Sequence, residues 1–210
     1  MIKAVIFDFD GTLVESEEMH CISLSNSIKQ LKGLDITPRQ IGLLAGMTYK
    51  EKIKHLIKGI KEDEAEKIAR HAYDSYLSKY SKEIKLRDKA GGFVKFLHQK
   101  GLKIGLYSPN KKQYLKDVLA RFDILKYFDV VIGREDVKKP KPDPEGYLIA
   151  AERLNVKPEE CLVFEDTPTG FASAKAAGMK VIVLENPYLN KPEYPGALKI
   201  IKGYDEATIL

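Results

Sequence analysis

The chain has 210 residues, of which 44% are hydrophobic and 31% charged, enough length and apolar content to bury a sizeable core in one domain or in one domain with an insert. The net charge of +5 comes from lysines scattered along the sequence without aromatic interleaving; no apolar stretch is long enough for a bilayer, and Met1 leads directly into an apolar run rather than a signal segment. Nucleic-acid and membrane partners are therefore not expected, the expected address is the cytoplasm, and Cys21 and Cys161 are too isolated for a disulfide framework or a zinc site.

The first predicted element is a strand over residues 4–7, an apolar run rich in Val, Ile and Phe of the kind buried on both faces of a parallel sheet. It runs into Asp8 and Asp10, which at a spacing of two project to the same side. Two close carboxylates at an apolar strand end repel each other, so they call for a divalent cation or a shared proton. Gly11 then permits a sharp exit, and Thr12 follows.

Helical patterns occupy the next seventy residues. Met19, Ile22, Ile28 and Leu31 form one stripe of an amphipathic helix ending near Gly33. Thr37 and Pro38 read as the cap and first position of a second helix. Thr48 and Glu51 make a capping box for a third, ahead of Ile53, Leu56, Ile57 and Ile60. A long charged helix over residues 62–80 closes this block, which contains no convincing strand and reads as a helical insert.

From Asp88 onward helices and strands alternate, the pattern of a parallel sheet covered on both faces. Strands are expected over residues 102–107, 130–132, 162–164 and 180–184, with helices between them. Ligands of such sheets bind beyond the carboxyl ends of the strands, which directs attention to the residues just past each one. The second strand is followed by Ser108, Pro109 and Asn110, a hydroxyl and exposed backbone N–H groups suited to phosphate oxygens. The third leads into a loop where Pro140, Pro142 and Pro144 stiffen the backbone around Lys139 and Lys141, so that an ammonium can be held in place. The fourth ends at Glu165 and Asp166, with Thr167 and Pro168 supplying the next helix's cap, so the acids are available for a hard cation. The last strand end shows no such chemistry.

These strings resemble the four motifs of the haloacid dehalogenase (HAD) superfamily in order. Asp8-Phe9-Asp10-Gly11-Thr12-Leu13 is similar to its first, Ser108 stands for its second, Lys139-Pro140-Lys141-Pro142-Asp143 resembles its third and favours Lys139, and Glu165-Asp166 with Gly170 resembles its fourth. The insert resembles the helical cap of the subgroup containing phosphoglycolate phosphatases and β-phosphoglucomutases. The resemblance implies an α/β fold, a doubly wound Rossmann-like parallel sheet formed by residues 1–14 and 86–210, with an all-helical cap over residues 15–85. It implies a phosphatase of a small phosphorylated metabolite, with Asp8 as nucleophile, Asp10 as general acid and base, and Ser108, Asn110 and Lys139 binding the phosphoryl group. Magnesium would be held by Asp8, the backbone carbonyl of Asp10 and Asp166, with Glu165 assisting. His20, Tyr49 and Lys50 are the candidate cap residues for substrate selection, with Lys54 a further one.

Two other readings are compatible with parts of this pattern. A sugar phosphomutase shares the core, and His20 stands where mutase-like members carry a histidine, but Tyr49 replaces the arginine of β-phosphoglucomutases. A phospho-acceptor signalling domain also places aspartates and a lysine at strand ends, yet it lacks a helical insert and carries its lysine after the last strand. The sequence specifies no oligomeric state.

Overall fold

In the computed structural model of the chain, which describes residues 1–189 and 192–207, the apolar run Ala4–Phe7 forms β1, every residue of it buried. Residues 190, 191 and 208–210, within the range expected for the core, lie outside the described residues. After β1 comes the two-residue strand β2 (Val14–Glu15), and the chain then turns helical through α1 (Glu17–Lys32), α2 (Pro38–Gly42), α3 (Tyr49–Leu56) and α4 (Glu62–Ser75). It returns through β3 (Lys85–Leu86), which pairs with β2. Two compact units result: one of Met1–Val14, Leu86–Asn186 and Glu193–Leu210, the other of Glu15–Lys85 with Pro187–Pro192. That short second segment had been expected in the core.

The helical unit starts its helices where the sequence signals them. Thr37 and Thr48 accept hydrogen bonds from the backbone of Gln40 and Glu51, whose side chains bond back, completing two capping boxes. The buried stripe of α1 differs from the expected one. Cys21, Leu24 and Ile28 face the core with Ser23 and Ser27, while Met19 and Ile22 are only half-buried. The serines are admitted because each has a partner: Ser23 Oγ donates to the Ala72 carbonyl at 2.7 Å, and Ser27 Oγ lies 2.9 Å from His71 Nδ1. The long charged helix ends at Ser75 and continues as a π-helical turn, Tyr76–Tyr80.

The other unit continues with α5 (Ala90–Gln99), β4 (Lys103–Tyr107), α6 (Lys112–Arg121), β5 (Val130–Ile132), α7 (Glu145–Arg153), β6 (Cys161–Glu165), α8 (Pro168–Ala176), β7 (Lys180–Leu184) and β8 (Lys199–Ile201). Its six-stranded sheet has the order β5-β4-β1-β6-β7-β8, and every pairing is parallel. Alternation along β1 sends Ala4 and Ile6 into a cluster with Tyr147, Ala150 and Ala174 of α7 and α8. Phe7 points to the opposite face, stacks on Phe164 with ring centroids 5.3 Å apart, and meets Phe93 of α5 edge-on. The sequence predicts no strand at the edge strand β8, which is three residues long with only Ile201 buried, too short to show a period.

Candidate active site

Register places the functional groups at nearly one level. Phe7 pairs with Leu106 on one side and with Phe164 on the other, so Asp8 stands level with Tyr107 and Glu165, and Ser108 and Asp166 follow one residue further on. The ladder runs on past the strand ends, with Asp8 N–H donating to the Phe164 carbonyl (2.9 Å) and Ser108 N–H to that of Ile132 (3.2 Å). Asp8, Glu165 and Asp166 are all buried, and one carboxylate oxygen from each lies within 4.8 Å of the other two.

The ammonium in this cluster belongs to Lys141 and not, as expected, to Lys139. Lys141 Nζ donates to Asp8 Oδ1 and Glu165 Oε1, each at 2.5 Å, and sits 5.0 and 5.2 Å from the ring centres of Tyr107 and Tyr147. Lys139 is exposed, and its backbone N–H donates to Glu145 Oε2 at 2.6 Å. The sequence contains two overlapping K-P-x-P frames, 139–142 and 141–144. Glu145 at the start of α7 accepts from the backbone of both Lys138 and Lys139, which pins the first lysine outside and leaves the second to reach the strand tips.

Glu165 is fully engaged. Its Oε1 accepts from Lys141 and from the Tyr147 hydroxyl (2.9 Å), and its Oε2 accepts from the backbone N–H groups of Asp166 and Thr167 and from the Thr167 hydroxyl. Gly170 makes room for this carboxylate, since a Cβ there would lie 1.7 Å from Glu165 Oε1. Asp166 accepts from the Thr12 hydroxyl (3.1 Å) and from Asn186 Nδ2 (2.7 Å). Asn186 lies just beyond β7, at the strand end for which the sequence predicts no such chemistry; its signal is the amide two residues past Leu184. Gly11, at φ 73°, brings the motif's turn against Asp166, where a Cβ would stand 2.2 Å from Oδ2.

Asp10 lies outside the carboxylate cluster. Its Oδ2 accepts from Asn110 Nδ2 at 2.6 Å, and the Ser108 hydroxyl oxygen accepts from the backbone and side-chain N–H groups of the same asparagine at 3.3 and 3.2 Å. Asp10, Ser108 and Asn110 thus form a second polar group beside the first.

Burial raises the Asp8 carboxyl to about 8: the Lys141 charge pulls against that shift, and Glu165 adds to it. Asp166 is pushed well above the ordinary carboxylate range by burial, then by Glu165 and Asp8. For Lys141, burial works downward, but the two carboxylates outweigh it and hold the ammonium charged.

In the helical unit, the His20 ring stacks on Tyr76 with centroids 3.7 Å apart, and His20 Nδ1 lies 2.6 Å from the Tyr49 hydroxyl. Lys50 pairs with Glu62 at 2.9 Å, and Lys54 pairs with the same carboxylate. The structure therefore joins His20 to Tyr49 and commits Lys50 to an exposed ion pair.

The family model for haloacid dehalogenase-like hydrolases matches residues 5–184. The chain belongs to this family. Among relatives of this HAD-type hydrolase, the phosphorylated carbohydrates phosphatase of Thermotoga maritima is 31% identical over 182 residues, covering 86% of this chain and 84% of that protein. The phosphoglycolate phosphatase of Salmonella typhi is 29% identical over 208 residues, with 89% and 82% covered. The crystal structure of CbbY from Rhodobacter sphaeroides in complex with phosphate superposes with a TM-score of 0.81 at 27% identity, over 98% of this chain and 96% of that one. The chain is thus an enzyme, and the signalling-domain alternative is set aside.

The HAD-type site suits a divalent cation. Three buried carboxylates face one ammonium, an excess of negative charge that burial makes costly. Glu165 accepts five hydrogen bonds against two for Asp166 and one for Asp8, so Asp8 and Asp166 keep the most capacity for a hard, oxygen-ligated ion, with Glu165 beside them. Among the described residues no helix is long and apolar enough to cross a membrane.

Proposed function

We propose that the chain is a Mg²⁺-dependent phosphatase of a small cytoplasmic phosphorylated metabolite, of the phosphoglycolate or sugar phosphate type, acting through an aspartyl-phosphate. The observation that carries this reading is the buried Asp8 at the tip of the central strand, 2.5 Å from an ammonium and beside Asp166, with Asp10 directed to a separate partner. That separation lets the two aspartates hold different jobs.

Asp8 would attack phosphorus through a carboxylate oxygen, forming an O–P bond as the ester O–P bond breaks. Asp10, carried by Asn110 into a polar setting, would deliver its proton to the departing alkoxide. It would then take a proton from the water that attacks the aspartyl-phosphate, releasing phosphate and restoring Asp8. Lys141 would hold Asp8 in line and offset phosphoryl charge, the role expected of Lys139. Ser108, whose oxygen already accepts from Asn110, keeps its own proton to donate to a phosphoryl oxygen. Magnesium, held by Asp8 and Asp166 with the Asp10 carbonyl, would supply electrostatic screening between the anionic nucleophile and the anionic substrate.

Phosphate release from small phosphomonoesters should require Mg²⁺. Asp8→Asn, close to isosteric, should abolish it while the melting transition and circular dichroism spectrum persist. Undiminished turnover by that variant would remove Asp8 as the nucleophile. Assaying kcat/KM over a panel containing phosphoglycolate, hexose phosphates and nucleotides identifies the substrate class.

A further inference from the structure

We propose that Arg87 is a positioning residue that locks the catalytic turn after β1 to the segments that grip Asp166. Its guanidinium donates to three backbone carbonyls from three distant parts of the chain: Gly11 (2.5 Å), Glu185 (2.9 Å) and Lys202 (3.1 Å). Its own backbone N–H donates to the Leu13 carbonyl at 2.9 Å. One residue thereby ties the turn that carries Asp10, Gly11 and Thr12 to the stretch beyond β7 that carries Asn186, and to the end of the edge strand β8.

The consequence for the site follows from what those carbonyls adjoin. Gly11 directly follows Asp10, and Thr12 places its hydroxyl on Asp166. Glu185 directly precedes Asn186, whose amide takes the other Asp166 oxygen. The two hydrogen bonds that orient Asp166 thus come from the two segments that Arg87 holds together. A planar guanidinium presents several N–H groups in a fixed fork, so it can span carbonyls on separate segments, whereas a lysine ammonium is a single point on a flexible stem. Arg87 touches neither substrate nor reacting atoms; it acts through the backbone.

The inference rests on the phosphatase reading for its effect on rate, but its structural core can be tested separately. Wild type, Arg87→Lys and Arg87→Met are compared by amide hydrogen exchange and by steady-state hydrolysis of p-nitrophenyl phosphate across a Mg²⁺ titration, at a temperature where all three are folded. In Arg87→Met, exchange should quicken at the Gly11, Leu13 and Val14 amides, which the turn's own hydrogen bonds protect, while Ile104 and Val163 in the central strands stay protected. kcat should fall by about tenfold or more with KM changed little, the expected result of misplacing catalytic groups, and half-maximal activity should need more Mg²⁺. Arg87→Lys should recover part of both effects. Unchanged turn exchange in Arg87→Met overturns the inference, as does a lowered melting temperature with kcat and Mg²⁺ requirement intact, which is the mark of a merely structural residue. If wild type itself releases no phosphate from any ester tested, the phosphatase reading fails, and the exchange data alone decide whether Arg87 locks the turn.

Discussion

At the scale of single residues, Lys141 shows how a fixed charge is built. Two carboxylates hold its ammonium at 2.5 Å, and the faces of Tyr107 and Tyr147 flank it, so the charge is both paired and confined. Tyr147 also donates to Glu165, which links the lysine's anchor to α7. Removing the ammonium strips Asp8 of its counter-charge and the phosphoryl group of a partner. Lys141→Met should therefore lower kcat by about a hundredfold or more, in line with losses of preorganised electrostatic groups. Lys139→Met, at an exposed position whose hydrogen bond to Glu145 is made by its backbone N–H, should stay within about twofold of wild type, as expected for a surface change. Steady-state kinetics on the pair decides between the two K-P-x-P frames, and a result in the opposite order would return the role to Lys139.

At the scale of elements, the strand tips set the site and the helix starts leave room for it. The parallel register makes β1, β4 and β6 end within one residue of each other, so residues far apart in sequence arrive close together. Thr167 caps α8 by accepting from Gly170 N–H, and that same glycine leaves space for the Glu165 side chain. Gly170→Ala should displace Glu165 and with it Lys141, costing about 1–3 kcal/mol of stability as overpacking does, together with a clear loss of kcat. Thermal melting and turnover are measured together, and an alanine variant with normal melting and normal turnover would contradict this packing. The strong periodic elements were legible in the sequence, since β1, the Thr48 capping box and the alternating second half are local patterns. The stripe of α1 was not, because Ser23 and Ser27 are buried only by virtue of partners on α4. Nor was β8, a short edge strand defined by its pairing with β7.

At the scale of the whole molecule, the buried carboxylates couple stability to pH and to metal. Burial pushes the Asp8 carboxyl in the folded protein up to about 8 from an ordinary value of 3.8, so between these limits the folded state binds more protons than the unfolded one. Its contribution to stability is full below pH 3.8 and is lost as the pH rises through about 8; Asp166 is shifted in the same sense. Lys141 is raised, so its contribution persists below its ordinary value of 10.5 and does not offset this loss. A cation ligated by the carboxylates replaces the protons, so the Mg²⁺-induced rise in melting temperature should be larger at pH 8 than at pH 6, with protons released on binding. Differential scanning calorimetry at the two pH values checks this, and an equal shift at both would show that Mg²⁺ does not compete with protons at these groups.

By itself the sequence determined the parallel α/β plan, the helical insert and the carboxylates at strand tips. Those follow from local rules: side-chain alternation along a strand, helix-capping chemistry, and a turn that glycine permits at Gly11. Only the tertiary structure decided which of two equivalent lysines enters the site, that Glu165 serves the lysine rather than standing free, that Asn186 grips Asp166, and that Arg87 joins three segments. Each of these depends on which side chain reaches across a gap between segments remote in sequence, a matter of strand order, register and packing that spacing along the chain does not contain.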